Sequence, residues 1–399
     1  MNLVMSEKDS TIFKDQNKLE PRYIPRNLVH REKQLNQLHN IFGDSLRNLG
    51  ETVLKVVRVV GPVGSGKTCT VTWFTRELVN TADKLEAPLS GIHINCNSMA
   101  RSPRSLYRLI YEKATGETRQ SFSREEYLIR LINYLRENNQ FIFIILDDID
   151  YLLANLEGGF KEGGIIYDLT RLNEHYPGMP DHVVGLILVG REGLTDYLAP
   201  CEKSSLGLLK IKLPGYDRTQ LRGILETRIR QAFHENCVPE YVLDYVVDLS
   251  TNKVSDPGDC RFALDLLISA GYKARETGSK QITLEHIRVA YSTDIQGLSV
   301  EDFRHLDSHM VLVIWSTIYA LEGARDRAYT SQQAVYDYYY AECVSKGWKP
   351  YSISKVREIL RELDMMNIIN VSSKGVTIEA TSLEELKEKL TILEKTRKI

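Results

Sequence analysis

The 399-residue chain is long enough for two or three domains with a large core, and its formal net charge is -2 at pH 7. This near neutrality excludes a globally basic protein, so any contact with nucleic acid must come from local patches. The 6 cysteines are scattered without a Cys-x-x-Cys pair, which favours reduced intracellular thiols over a disulfide framework or a metal site. The sequence shows no signal peptide and no apolar run that could span a bilayer, so we expect a cytoplasmic protein without a membrane partner.

The N-terminal part of the chain leads into a phosphate-binding motif. Residues 1–20 are polar, and we expect them to be poorly ordered. The apolar run Val53–Val60 then predicts a strand, and a helical pattern covers Cys69–Leu78. Between them, Gly61 to Thr68 has the sequence Gly-x-x-x-x-Gly-Lys-Thr, which in this strand–loop–helix context is typical of a phosphate-binding loop. The alternative is a chance glycine-rich turn, which the joint presence of strand, helix, lysine and threonine disfavours.

This loop predicts the binding of ATP or GTP. Its backbone N–H groups would surround phosphate oxygens, Lys67 would place a positive charge at the β- and γ-phosphates, and the Thr68 hydroxyl could bind Mg²⁺. The residues that we assign to the nucleotide from this motif are Gly61, Val63, Gly64, Ser65, Gly66, Lys67, Thr68 and Cys69.

A pair of carboxylates follows the continuous apolar run Phe141–Leu146, which predicts a strand buried on both faces of a parallel sheet. Carboxylates at the carboxyl end of such a strand lie beside the phosphate site. There Asp147 would hold Mg²⁺, and Asp148 would orient the attacking water of hydrolysis. Capping of the next helix is the alternative role of this pair, and the preceding phosphate loop favours the catalytic one.

The remaining patterns divide the chain into three domains. Strand patterns at Gly91–Asn95 and Val183–Val189 alternate with helical ones and predict an α/β domain with a doubly wound parallel sheet over residues 21–215. Only helical periodicity continues over residues 216–298, which predicts a small helical domain. Residues 306–399 predict three helices followed by a β-hairpin, and this order of elements suggests a winged helix.

The third helix of the last domain is the candidate DNA-binding element. One of its faces would pack inward at helical spacing, and it consists of Ile353, Val356, Leu360 and Leu363. The outward side chains that we assign to DNA, together with the basic tip of the hairpin, are Tyr351, Ser352, Ser354, Lys355, Arg357, Arg361 and Lys374. An ordinary solvated surface or a protein-binding winged helix remains the alternative, because Glu358 and Glu362 lie on the same helix.

Taken together, these motifs resemble the archaeal initiators that are related to eukaryotic origin-recognition and helicase-loading proteins. Those proteins are AAA+ ATPases with a helical lid domain and a C-terminal winged helix. The resemblance extends from Pro21 to about Leu393. Besides the two nucleotide motifs, it rests on the segments Pro21–Glu32, Gly258–Leu264 and Lys355–Asn370.

The resemblance implies further site residues. Pro21–Glu32 would lie against the adenine, with Tyr23, His30 and Arg31 as candidates, and Arg261 would contact the nucleotide from the lid. The implied cofactors are ATP or ADP with Mg²⁺. The family also carries a DNA-contacting helical insertion, which corresponds here to residues 116–124. Its candidate contacts with phosphate or the minor groove are Arg119, Ser121 and Arg124.

Three residues depart from the family pattern at positions that matter for hydrolysis. Asp148 replaces a glutamate and is one methylene shorter, so it would hold a water poorly. Arg191 occupies the place of an asparagine that senses the γ-phosphate. Cys201 replaces an arginine proposed to reach a neighbour's nucleotide, and Lys203, which matches the family pattern, cannot reproduce the forked contact of that arginine. We therefore expect slow ATP hydrolysis.

Two functions fit this sequence, and a third is conceivable. The first is an ATP-dependent, nucleoid-associated initiator that binds double-stranded DNA at origins and recruits the replicative helicase, with a second initiator protomer as a further partner. The second is a sequence-specific transcription regulator with the same architecture, which the altered catalytic positions favour. The third is a DNA-independent adaptor, which would require the basic outward residues to be inert.

Overall fold

The computed structural model of the chain describes residues 12–100, 102–118, 122–155, 164–172, 181–253, 255–294, 298–324 and 326–397. The chain divides into two compact units. The first, which we call the α/β unit, comprises Ile24–Asp217 and Lys253–Cys260. The second, which we call the helical unit, comprises the described parts of Met1–Tyr23, Arg218–Asn252 and Arg261–Ile399.

The α/β unit is built on a five-stranded parallel sheet with the strand order β2-β3-β4-β1-β5. The strands are β1 (Lys55–Val60), β2 (Leu89–Asn95), β3 (Phe141–Asp147), β4 (Val183–Gly190) and β5 (Lys210–Lys212). All residues of β3 and β4 are buried, which explains why both segments are continuous apolar runs. The short strand β5 was not predicted, because its Lys-Ile-Lys sequence carries almost no apolar pattern.

Helices cover both faces of this sheet. They are α1 (Glu32–Phe42), α2 (Lys67–Lys84), α3 (Cys96–Met99), α4 (Pro103–Thr115), α5 (Arg124–Glu137), α6 (Ile149–Ala154), α7 (Ile165–Thr170) and α8 (Pro200–Ser205). Successive residues of β3 point to opposite faces, so Ile144 belongs to one hydrophobic core and Ile145 to the other. The doubly wound sheet predicted from the sequence is thereby confirmed.

The helical unit contains eight helices and one hairpin among its described residues. The helices are α9 (Arg218–Ala232), α10 (Glu240–Thr251), α11 (Cys260–Glu276), α12 (Leu284–Asp294), α13 (Ser308–Gly323), α14 (Gln332–Ser345), α15 (Ile353–Met365) and α16 (Leu383–Arg397). Strands β6 (Asn370–Ser372) and β7 (Gly375–Thr377) form the antiparallel hairpin after α15. This order confirms the predicted lid helices and winged helix.

The last helix was missed, although its apolar spacing is clear in hindsight. Leu383, Leu386, Leu390 and Leu393 are all buried, and they recur at intervals of three or four residues. Their side chains complete the core that α13 to α15 form with the hairpin. None of the described helices is long and apolar enough to cross a membrane.

The segment from residue 12 to residue 20 corrects the expectation of a poorly ordered N-terminus. Ile12 and Leu19 are fully buried, and Phe13 stacks on Phe233 with ring centroids 5.0 Å apart. The backbone N–H of His234 also donates to the carbonyl of Ile12 at 3.1 Å. A few apolar side chains therefore anchor a segment whose average composition is polar. Residues 1–11 lie outside the described part of the chain.

Candidate nucleotide site and candidate nucleic-acid interface

The phosphate-binding loop connects β1 to α2 and packs tightly against its surroundings. Gly64 and Gly66 have φ angles of 68° and 81°, a region that side chains rarely adopt. A Cβ atom on Gly64 would lie 2.9 Å from Cα of Asp259, and one on Gly66 would lie 2.4 Å from the Tyr216 hydroxyl oxygen. Both glycines are therefore required by the backbone conformation and by the close approach of neighbouring residues.

The loop directs polar groups toward the start of α2. The Lys67 ammonium donates to the carbonyls of Gly61 and Pro62 at 2.9 and 2.7 Å. These neutral carbonyls are weaker hydrogen-bond acceptors than charged phosphate oxygens. The ammonium of Lys67 can therefore move from them to the phosphates of a nucleotide. Thr68 is exposed in the first turn of the 18-residue helix α2, whose N-terminal end favours an anion.

Arg31 supports the loop from the interior. Its side chain is only 1% exposed, and its Nε and Nη2 atoms donate to the Ser65 carbonyl at 3.2 and 2.8 Å. Nη2 also donates to the Pro214 carbonyl at 2.9 Å, and the guanidinium lies 3.7 Å from the ring centroid of Tyr216. Burial lowers the pKa of Arg31. The sequence analysis assigns Arg31 to the adenine, whereas in the structure its guanidinium positions the phosphate loop. The predicted adenine contact remains a prediction.

The two carboxylates end strand β3 as predicted. Asp147 is fully buried, and its Oδ2 lies 3.3 Å from Nε2 of His93. Asp148 adopts φ 52° and ψ 38° at the N-cap of α6, and its Oδ2 accepts a hydrogen bond from Nδ2 of Asn95 at 2.9 Å. The register of β2 with β3 explains this arrangement, since Asn95 lies directly beside Asp147.

Sequence reasoning missed the polar residues of β2 that hold these carboxylates. His93 and Asn95 alternate with buried apolar residues at the carboxyl end of the strand, and this alternation could have revealed them. Nδ1 of His93 lies 3.2 Å from the Thr72 hydroxyl, so the imidazole is held between α2 and Asp147. Tyr216 was also missed, because its position gave no motif.

The chemistry of the donors fits Mg²⁺ bound together with a nucleotide. The Thr68 hydroxyl and the Asp147 carboxylate are hard oxygen ligands at the start of α2 and the end of β3. Within the described part of the chain, no three His, Cys, Asp or Glu side chains are grouped to hold a metal by themselves. A magnesium ion at such a loop takes its remaining ligands from phosphate oxygens and water.

Of the residues that depart from the family pattern, Arg191 and Cys201 are exposed and Asp148 is half-buried. Arg191 directly follows Gly190, the last residue of β4. The Gly190 carbonyl accepts a hydrogen bond at 3.4 Å from the N–H of Gly61, which begins the phosphate loop. This contact places Arg191 next to the loop. Cys201 and Lys203 are exposed on α8, and Cys201 is a free thiol.

In the helical unit, the predicted inward and outward faces of α15 are confirmed. Val356, Leu360 and Leu363 are buried, and Ile353 is half-buried. The side chains on the opposite surface and at the preceding turn are all exposed, namely Tyr351, Ser352, Ser354, Lys355, Arg357 and Arg361. The hydroxyl of Ser352 also caps the helix by accepting the Lys355 N–H at 3.4 Å.

Two of the candidate cations have acidic neighbours. The ammonium of Lys355 lies 2.9 Å from Oε2 of Glu358, and this hydrogen bond raises the pKa of Lys355. At the hairpin tip, the Lys374 ammonium contacts the buried carboxylate of Asp248 on α10. Burial and the neighbouring charge of Arg218 lower the pKa of Lys374. To contact a phosphate or a base, either lysine would have to leave its carboxylate partner.

Tyr351 is held in place by two residues that the sequence analysis did not assign. Its ring lies 4.1 Å from the ring of His309, measured between centroids. Its backbone N–H donates to the hydroxyl of the buried Tyr339 at 3.2 Å, and that hydroxyl lies 2.6 Å from Nδ1 of His309. These contacts therefore fix the position of Tyr351 just before the N-terminus of α15.

The remaining candidates stay predictions. Arg119 and Ser121 lie outside the described residues, while Arg124 begins α5 with its Nε 3.8 Å from Oδ2 of Asp168. Tyr23 and Arg261 belong to the helical unit, where the Tyr23 ring has cations on two sides. The Lys18 ammonium and the Arg228 guanidinium lie 4.4 and 4.6 Å from the ring centroid.

Three family models match successive parts of the chain. An AAA domain matches residues 55–198, a Cdc6 AAA+ ATPase-type lid domain matches residues 222–292, and a CDC6 C-terminal winged helix domain matches residues 301–389. The structure of Cdc6p from Pyrobaculum aerophilum superposes with a TM-score of 0.80 at 26% identity, over 97% of this chain and 99% of that one. The ORC1 protein of Aeropyrum pernix, solved in complex with DNA, gives a TM-score of 0.62 at 27% identity, over 96% and 98% of the two chains.

Full-length relatives complete the comparison. The ORC1-type DNA replication protein of Thermococcus kodakarensis is 32% identical over 91% of this chain and 86% of its own length. ORC1-type DNA replication protein 1 of Methanosarcina acetivorans is 29% identical over 92% of this chain and 85% of its own length. Both matches extend over most of the two chains. The chain belongs to the ORC1-type DNA replication protein family, the Cdc6/ORC group of AAA+ proteins.

Proposed function

We propose that the protein is an ATP-dependent initiator of DNA replication that binds specific double-stranded DNA sequences at origins and recruits the replicative helicase. The exposed face of α15 carries this proposal. Its cations point outward while the opposite face packs into the core, as in a helix that enters the major groove. The DNA complex of the related A. pernix ORC1 protein supports the same role.

In this proposal, ATP or ADP binds at the phosphate loop with Mg²⁺. Lys67 would exchange its loop carbonyls for the β- and γ-phosphates, Thr68 and Asp147 would hold the metal, and Asp148 would orient the attacking water. Mg²⁺ would supply charge neutralisation for the phosphates. Hydrolysis is expected to be slow, because the shorter Asp148 leaves the water poorly aligned. A long-lived nucleotide state suits a protein that remains on DNA.

A transcription regulator of the same architecture is the second candidate. The observation that favours it is the set of departures around the nucleotide, where Arg191 lies next to the loop and an exposed thiol occupies position 201. A regulator needs the winged helix and needs little nucleotide turnover. Both candidates share the DNA interface and differ in where it binds along the chromosome.

Genome-wide mapping of bound sites separates the two candidates. Binding confined to replication start points would support the initiator, and many promoter sites would support the regulator. In vitro, Arg361→Ala should weaken binding to a specific duplex by about tenfold and reduce the preference over a scrambled duplex. The matched control is Lys395→Ala, which removes an exposed cation of α16 far along the chain from the recognition helix. Equal effects of the two substitutions would contradict DNA binding through α15.

A further inference from the structure

The tip of the β6–β7 hairpin is joined to the lid helices by a shared ionic contact. Asp248 on α10 is 3% exposed, and its Oδ1 atom contacts two cations from different elements. One is the guanidinium of Arg218 at the start of α9, and the other is the ammonium of Lys374 in the hairpin turn. Arg218 additionally lies 3.5 Å from Oδ1 of Asp244. All four residues belong to the helical unit.

The two cations of this cluster are not equivalent. A buried carboxylate strongly destabilises the fold when it has no counter-ion, but one counter-ion is enough to neutralise it. Arg218 is held by two carboxylates and has a planar fork, whereas Lys374 contacts Asp248 from the end of a flexible stem. The departure of Lys374 therefore does not leave the Asp248 carboxylate unpaired, because Arg218 remains as its counter-ion.

A DNA phosphate is the competitor that the surroundings favour. Lys374 lies on the hairpin that directly follows α15, the candidate recognition helix. A phosphodiester carries a full negative charge, and each lysine that neutralises one releases a counter-ion from DNA. The same lysine cannot contact Asp248 and a phosphate at full strength, so the lid carboxylate and the DNA backbone compete for it.

We propose that Asp248 of the lid restrains the wing, and that DNA binding transfers Lys374 from Asp248 to a backbone phosphate while Arg218 stays behind as the counter-ion. The lid thereby weakens DNA binding through a residue that never contacts DNA. This inference rests on the proposed DNA-binding function. It adds Asp248 and Arg218 as residues that set the affinity for duplex DNA.

The two lid residues should act in opposite directions. Asp248→Asn removes the competing charge in an isosteric side chain, so the full chain should bind a specific duplex about threefold to tenfold more tightly at moderate salt. Arg218→Ala leaves Lys374 as the main counter-ion of Asp248, so binding should weaken by a similar factor. Because Lys374 then stays on Asp248 instead of neutralising a phosphate, the salt slope of binding should also fall, by at most about one.

Two comparisons separate this restraint from general electrostatics. Asp244→Asn removes an equal charge one turn earlier on α10, from a carboxylate that forms ion pairs with Arg218 and Arg222 and acts on Lys374 only at longer range. It should tighten binding clearly less than Asp248→Asn does. In a double-mutant cycle, Lys374→Ala should cost little in the wild-type chain and several-fold more in the Asp248→Asn chain. Thermal unfolding of each variant without DNA confirms that it folds and reports the Asp248–Lys374 coupling independently.

The outcomes distinguish the inference from the function on which it rests. Equal tightening by Asp248→Asn and Asp244→Asn would overturn the inference, as would an equal cost of Lys374→Ala in both backgrounds. Weaker binding when Arg218→Ala is added to the Asp248→Asn chain would show that Arg218 itself contacts phosphate, and this would also overturn it. If neither wild type nor variants bound duplex DNA, the proposed function would fail and the inference with it.

Discussion

The phosphate loop and the winged helix present their polar groups in opposite ways. Around the loop, Ser65, Arg31 and Asp147 are at most 1% exposed, and their partners are fixed by packing. On the winged helix the candidate cations lie at the surface, where Lys355 has Glu358 within 2.9 Å and Lys374 has Asp248. A buried polar site must satisfy its groups in one arrangement, whereas an exposed site allows several partners to compete. Changes at the loop should therefore have large effects on ligand binding, and changes on α15 smaller ones.

Lys67→Ala tests the buried side of this comparison and should have the largest effect. The substitution removes a charged hydrogen-bond donor facing the β- and γ-phosphates, so nucleotide affinity should fall by about 10- to 100-fold. Isothermal titration with ADP and with ATP measures it. Lys84→Ala, at the other end of α2, is the control and should leave the affinity unchanged. An unaltered affinity in Lys67→Ala would refute the site.

Glu379 tests whether the helical unit also contains a polar group whose ionisation is set by burial. Burial raises the pKa of this carboxyl to about 7, aided by Asp364 and opposed by Arg288. Between its ordinary pKa and about 7, the folded state keeps a proton that the unfolded state releases, so stability decreases as the pH rises. From pH 5 to pH 8 this residue should lower the free energy of unfolding by on the order of 2 kcal/mol.

Chemical denaturation of wild type and Glu379→Gln at both pH values measures this contribution. In the variant, the free energy of unfolding should no longer decrease for this reason between pH 5 and pH 8. At pH 8 the variant should therefore be more stable than wild type. Glu384→Gln, which changes an exposed glutamate at the start of α16, should retain the wild-type pH dependence. The same pH dependence in Glu379→Gln as in wild type would contradict the raised pKa.

Lys355→Ala tests the exposed side. Because DNA would have to displace Glu358 from this lysine, the loss of Lys355 should weaken specific binding only by about fivefold, near the lower limit for a base-reading residue. Glu358→Gln should tighten binding slightly by removing the competitor. Fluorescence anisotropy with specific and scrambled duplexes over a salt series measures both. A loss of affinity well above about 100-fold in Lys355→Ala would show that its pairing with Glu358 is unimportant.

The same contrast explains what the sequence could predict. The loop from Gly61 to Thr68 and the buried strand β3 are local patterns, in which neighbours in sequence are also neighbours in the site. His93 and Tyr216 were missed because they reach the site only through strand pairing and tertiary packing. The contacts of Arg31 with the loop carbonyls could not be predicted either, since a resemblance gives a position but not a side-chain direction.

In the helical unit, helical spacing correctly separated the two faces of α15, because periodicity reports burial. It could not show that Lys374 contacts Asp248, which lies 126 residues earlier in the chain. It also could not show how Tyr339 and His309 position Tyr351. Long-range pairing of exposed charges leaves no local pattern, so the partners of a surface residue emerge only from the fold.

Asp148→Glu should have the smallest effect, and it tests whether even the buried site contains a loosely defined group. Asp148 lies in the left-handed region at the N-cap of α6, and Asn95 donates to its Oδ2 at 2.9 Å. A glutamate would extend one methylene further from the same backbone position and would align water better. ATP turnover should therefore stay unchanged or rise, while remaining below the roughly 1–100 s⁻¹ of efficient phosphoryl-transfer enzymes. Phosphate release under single-turnover conditions measures it, with Asp147→Asn as a variant that should abolish turnover by removing the metal ligand. A large loss of activity in Asp148→Glu would mean that the shorter carboxylate, oriented by Asn95, is already well placed, and the catalytic site would then be as closely defined by packing as the phosphate loop beside it.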